Sequence, residues 1–343
     1  MTAPRQPIID AHCHVPSSRF IPRAFVEGAV RSQAAVLEAV GLRPSLSRMV
    51  DAQLAQLDDH QADGLVAAMD DAGIDHAFLL CPDFTYALGE PGRGIAEMLE
   101  AHAAIARRHP GRFSWFAGVD PRWGRDGVAL FERCLRDLGA AGLKLYPPCG
   151  YSPSARALDP YYELCAAYGA PVMVHTGPTS AALGFAEAHP LQVDDAARRF
   201  PTVSFILAHA PVASGDVHVY LARFRANVYY DLSGFQSLLG DGAELCRLVP
   251  PALAHKALFG TDWPVFAKDA SLAEGVSGFL SSPALAALAE ASRRQLVLAG
   301  NASRLVPTLR TPLPSAEPSA RSAANASAAA RADAPRLSGS SRS

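Results

Sequence analysis

Eight short, nearly continuous apolar runs recur along this chain, at residues 8–12, 77–81, 113–119, 142–145, 172–175, 204–208, 228–231 and 257–259. Between them lie stretches of helical period, among them 51–72, 94–108, 125–138, 160–168, 193–200 and 214–223. A strand that is apolar on both faces must be covered on both, which is the condition of a parallel sheet wrapped by helices. Eight strand–helix repeats therefore predict an α/β fold of the closed (β/α)8 kind, a TIM barrel, in a single domain over residues 1–313. Residues 17–50 interrupt the rhythm as an inserted loop or helix after the first strand. An insertion of this length serves as a lid, a binding wall, an extra packing helix or the subunit contact of a homodimer. From Pro314 onward the composition turns to Ala, Ser, Pro and Arg with no aromatic residue. Such a segment cannot bury enough apolar surface to offset its ordering entropy, so 314–343 reads as a disordered tail.

Charge narrows the partners. A formal net charge of −2 over 343 residues creates no strong field of either sign, which disfavours nucleic acid and anionic membrane surfaces. The six cysteines form no CxxC pair, and no apolar run is long enough to span a bilayer. The expected setting is the reducing cytoplasm, with no membrane partner.

The chemistry gathers at the carboxyl ends of the runs. Ile8-Ile9-Asp10-Ala11-His12-Cys13-His14 puts two imidazoles on one face of a strand, since side chains alternate. Val172-Met173-Val174 leads into His175, Phe205-Ile206-Leu207-Ala208 into His209, and Leu258-Phe259-Gly260-Thr261 into Asp262. In a parallel barrel these ends share one mouth, where enzymes of this architecture keep their catalytic groups. His12, His14 and His175 offer three neutral nitrogens and Asp262 an anionic oxygen. That set suits one divalent ion, zinc foremost and manganese as the alternative, with an open position for water. Asp262 is expected to move the proton of that water, and His209 either to support it by hydrogen bonding or to serve as a fourth nitrogen ligand. Cys13, of opposite parity, is expected in the core facing the helices.

The order of these residues resembles the amidohydrolase superfamily. More narrowly, Ile9-Asp10-Ala11-His12-Cys13-His14, Phe259-Gly260-Thr261-Asp262-Trp263-Pro264 and Leu298-Ala299-Gly300-Asn301-Ala302-Ser303-Arg304-Leu305 resemble the amidohydrolase-related branch that includes α-amino-β-carboxymuconate-ε-semialdehyde decarboxylase. The resemblance spans residues 7–307 and implies His12, His14, His175 and Asp262 as ligands and His209 as the catalytic histidine. It also places Lys144 where binuclear members of the superfamily carry a carboxylated lysine bridging two metals. Lys144 is otherwise an anchor for a substrate carboxylate, or a structural lysine paired with a buried acid such as Asp10. Arg122 is a second anion anchor or a structural ion pair. Tyr146 and Trp263 are expected to line the pocket. The expected partner is a small molecule bearing a carboxylate. The sequence puts hydrolysis of a C–N or C–O acyl bond first and decarboxylation of an aromatic or unsaturated acid second, with a non-catalytic metal-binding protein as the remote alternative.

Overall fold

A computed structural model describes residues 5–267 and 270–309. The tail expected at 314–343 lies outside the described residues. The eight strands are β1 (Ile9–Cys13), β2 (His76–Cys81), β3 (Phe113–Gly118), β4 (Gly142–Leu145), β5 (Val172–Val174), β6 (Phe205–Leu207), β7 (Val228–Asp231) and β8 (Ala257–Leu258). They lie parallel and in chain order. Backbone bonds from Ala11 N to Phe259 O and from Asp262 N to His12 O, both 2.8 Å, join the last strand to the first. Every strand residue except Tyr229 is buried, the two-sided burial that the apolar runs anticipate. This is a TIM barrel.

Alternation divides the strands between two cores. Leu79, Trp115, Phe205 and Tyr230 pack outward against helical residues such as Leu99, Phe131 and Tyr162, with the Phe205 and Tyr162 rings 5.2 Å apart. Cys13 belongs to this outer layer. A second cluster contains Phe78, Phe116, Met173, Ile206 and Leu258. Strand register sets Lys144 beside Met173 and Met173 beside Ile206, so the lysine stands on this second face, one of very few charges there. Asn301 fixes β8 from behind: its side-chain amide donates to Ala254 O at 2.7 Å and Ala257 O at 2.6 Å.

The inserted segment forms two helices, α1 (Arg23–Ala39) and α2 (Leu46–Ala55). Val26, Val30 and Val50 join Ile21, Leu46, Met49, Leu54 and Leu57 in a small core of their own. The helix expected over 51–72 is instead split between α2 and α3 (Asp63–Ala72). Ala62 takes a left-handed backbone, φ 60°, and the Asp59 carboxylate accepts the Leu65 N–H at 2.8 Å, capping a new helix where periodicity ran on. The insertion therefore extends past residue 50. It is seated against the loop after β5, where Ser180 Oγ donates to Phe25 O at 2.7 Å. Gly28 permits that approach, since a Cβ there would collide with Ser180 Oγ and Ala182 N. No helix among the described residues is long and apolar enough to cross a membrane.

Candidate active site

The strand ends bring His12, His14, His175, His209 and Asp262 to one place, although simple alternation does not account for all of them. Phe205 and Leu207 face the helices, so an unbroken strand would send His209 outward with them. Instead His209 has φ 64°, and its N–H bonds Asp231 Oδ1 at 2.9 Å, which turns the ring toward the other histidines. Asp262 is likewise left-handed, φ 57°. Such backbone costs a non-glycine residue on the order of 1–3 kcal/mol and persists where surrounding contacts over-determine it.

His12 is fully buried, and its Nδ1 donates to Asp231 Oδ2 at 2.7 Å. His14 Nδ1 donates to the Leu80 carbonyl at 3.0 Å. His12 is left with a bare Nε2 3.5 Å from Asp262 Oδ1, and His14 directs its Nε2 at the same oxygen from 3.3 Å. Burial pushes His12, His175 and His209 well below the usual imidazole range, so they stand neutral. The His12 lone pair facing a carboxylate oxygen is favourable only with positive charge nearby, and Lys144 Nζ, 3.5 Å from that Nε2, borders the same space. The ligand atoms of His12, His209 and Asp262 all fall within 4.8 Å of one another. His175 touches this group through His209, Nδ1 to Nε2 at 3.1 Å, while its own Nε2 is buried without a partner. The donor set, neutral nitrogens around one carboxylate with a buried orphan nitrogen beside it, fits a divalent ion of the zinc or manganese type.

Lys144 is 1% exposed and lies 3.5 Å, Nζ to Nε2, from His12. Burial lowers its pKa to about 8 against the opposing charges of Asp231 and Asp262. The pairing with Asp10 does not form: that carboxylate accepts from Thr261 N at 2.9 Å, Thr261 Oγ1 at 2.6 Å and His12 N at 3.0 Å. Burial in that setting raises the Asp10 carboxyl to about 7. Arg122 is held by the structural alternative. Its guanidinium donates through Nε and Nη2 to both Asp120 oxygens at 2.8 and 2.6 Å and to Cys149 O at 2.9 Å. Tyr146 lies directly on the site, stacked on the His175 ring at 4.2 Å with its hydroxyl on Thr179 Oγ1 at 2.5 Å. Trp263 is half-buried; its backbone pairs with Cys13 across the barrel seam, and the residue lines a cleft with Gln236, Phe266 and Leu272.

Two groups escaped sequence reasoning. Asp231 ends the seventh run and obeys the same strand-end rule as the histidines, yet an acid at a strand end also reads as an ordinary turn residue. Its carboxylate, with no exposure, engages His12, the His209 backbone and Ser233. Phe25 and Phe84 form an aromatic wall with Tyr146, Phe84 lying 5.0 Å from Phe25 and 4.9 Å from Tyr146 between ring centres. Phe25 comes from the insertion, so no local pattern could assign it there.

Residues 9–308 match the sequence profile of the amidohydrolase family. The chain belongs to that family. No curated protein sequence matches it. Among solved structures, this amidohydrolase is similar to an uncharacterised TIM-barrel protein from Bordetella bronchiseptica, with 22% identity and a TM-score of 0.63 over 87% of this chain and 98% of the other. It is also similar to a 5-carboxyvanillate decarboxylase from Sphingomonas paucimobilis, with 17% identity and a TM-score of 0.63 over 88% and 99%. A 5-carboxyvanillate decarboxylase from Novosphingobium aromaticivorans, complexed with manganese and 4-hydroxy-3-methoxy-5-nitrobenzoic acid, matches with 16% identity and a TM-score of 0.60 over 87% and 95%. At these identities the likeness is one of fold.

Proposed function

We propose that this amidohydrolase is a metal-dependent decarboxylase of a small aromatic or unsaturated carboxylic acid. The observation that carries the reading is the convergence of the Nε2 atoms of His12 and His14 on Asp262 Oδ1, with the unpartnered Nε2 of His175 nearby. His12, His14, His175 and Asp262 would hold one divalent ion, which when bound supplies Lewis acidity to an acid oxygen or to water. The aromatic wall of Phe25, Phe84 and Tyr146 favours a flat, conjugated substrate. The similar solved decarboxylases add support, one of them with manganese bound.

The chain's own groups have distinct tasks in this reading. Lys144 supplies the buried positive charge that meets the substrate carboxylate. Asp262, once protonated, gives its proton to the carbon that loses carbon dioxide; the carbon–carbon bonding pair stays on that carbon, and the carboxylate regains a proton from solvent. His209, held by Ser233 at Nδ1 and by the Asp231 carboxylate at its backbone N–H, orients the His175 ring through Nε2. Hydrolysis is the second reading, favoured by the same carboxylate: Asp262 would take a proton from water and pass it to a leaving group.

The test is a panel of hydroxylated benzoates, unsaturated acids, lactones and amides offered to zinc- and manganese-loaded enzyme. Carbon dioxide release from an acid, with about one metal per chain, is the expected result. Acid release from a lactone or amide without carbon dioxide moves the assignment to hydrolysis. Absence of bound metal after metal-replete preparation overturns both.

A further inference from the structure

We infer that Asp231 and Ser233 are positioning residues that set, through one directional hydrogen-bond chain, the proton positions of His12, His209 and His175. The inference deepens the proposed metal site and rests on that reading only for its consequence. The chain starts at a group that can only accept. Asp231 Oδ1 receives three donors, His209 N at 2.9 Å, Ser233 N at 3.0 Å and Ser233 Oγ at 2.5 Å. The Ser233 hydroxyl has one hydrogen, and the short contact with a carboxylate commits it there. Ser233 Oγ must then accept from His209 Nδ1, 2.7 Å away, which puts the neutral His209 proton on Nδ1 and leaves Nε2 bare. That bare nitrogen lies 3.1 Å from His175 Nδ1, so His175 donates from Nδ1 and its Nε2 is bare as well.

The other oxygen of the same carboxylate, Asp231 Oδ2, accepts from His12 Nδ1. One buried aspartate therefore holds two branches, and each ends in an imidazole presenting a lone pair at Nε2. The arrangement separates the roles of His175 and His209. In His209 both ring nitrogens are occupied inside the protein, whereas His175 has a buried Nε2 without a hydrogen-bond partner. Orientation of ligating imidazoles by partners on their far nitrogen typically governs metal affinity by 10- to 100-fold.

Asp231→Asn is the sharpest variant. Three donors keep the amide oxygen in the place of Oδ1, so the amide nitrogen faces His12 Nδ1 and forces it to accept, moving its proton to Nε2. Nitrogen-15 NMR of histidine-labelled, metal-free enzyme reads this directly. The wild type is expected to show Nδ1–H for His12, His175 and His209. Asp231→Asn is expected to switch His12 to Nε2–H and to weaken zinc about 100-fold in chelator competition. Ser233→Ala is expected to leave His175 and His209 as mixed tautomers with zinc weakened about 10-fold, and Ser233→Thr, which keeps the hydroxyl, to restore both. Circular dichroism shows that the compared variants fold, and Ser233→Ala carries the test alone if Asp231→Asn does not. Nε2–H on His175 in the wild type, or unchanged tautomers in Ser233→Ala, overturns the relay. Wild-type tautomers as described, in a protein that takes up no metal, uphold the relay and overturn the metal site instead.

Discussion

Lys144 carries a charge for which the barrel provides no ion-pair partner among the described residues. Its ammonium lies 3.5 Å from a neutral imidazole, and the nearby acid Asp10 is committed to Thr261. Removing such a cation relieves a desolvation cost, as replacement of buried ionic groups by apolar ones of similar volume often does. Lys144→Met is therefore expected to melt at the same temperature as the wild type or higher. Its kcat/KM for a carboxylate substrate should fall about 100-fold, the scale of a lost charge-assisted hydrogen bond, with metal content unchanged. Thermal melts, metal analysis and kinetics on the same preparations check the three parts. Unchanged kinetics would return the lysine to a structural role, and two metals per wild-type chain would point to its carboxylated form. At this scale the strand-end histidines and Asp262 were legible because apolar runs rarely stop on such residues. The commitment of Arg122 to Asp120 was not, since an arginine's partner is chosen by a fold that brings loop and strand end together.

The α1–α2 hairpin acts on the site as an element. Its small core is separate from the main one, while Phe25 reaches the aromatic wall and Ser180 clasps the Phe25 carbonyl. Phe25→Ala removes one face of the wall and leaves the hairpin core intact. The expected result is a KM raised about 10-fold for a conjugated acid, with the melting temperature little changed, in keeping with an aromatic contact worth roughly 1 kcal/mol. A saturated substrate of similar size should respond less, and an equal response would assign Phe25 to packing alone. Sequence periodicity located most helices because burial repeats along them. It overran the break at 56–62, where the decisive events are a left-handed alanine and an aspartate cap, neither of which disturbs the apolar pattern.

For the whole molecule the number, direction and order of the strands followed from the eight runs, because only a closed parallel sheet buries so many short two-sided strands. The inward turn of His209 did not follow, since it depends on Asp231 arriving from the neighbouring strand. The same deep burial makes the whole barrel sensitive to acid through histidines outside the proposed ligand set. His76, bonded to Gly111 O and Ser114 Oγ at 2.9 Å each, is lowered by burial from 6.5 to about 4, and His102 behaves alike. Between those values the unfolded chain binds protons that the native state refuses, so stability rises with pH across the window and this contribution is constant above it. A displacement of this size corresponds to about 3 kcal/mol at most for His76. Buried neutral His12, His175 and His209 act in the same direction, so the comparison needs a variant as well as a pH. His76→Gln keeps a polar side chain between Gly111 and Ser114 without the titration. In urea unfolding of metal-free protein at about pH 5 and about pH 8, the wild type should lose more stability on acidification than this variant. Equal losses would mean that His76 does not titrate across the window.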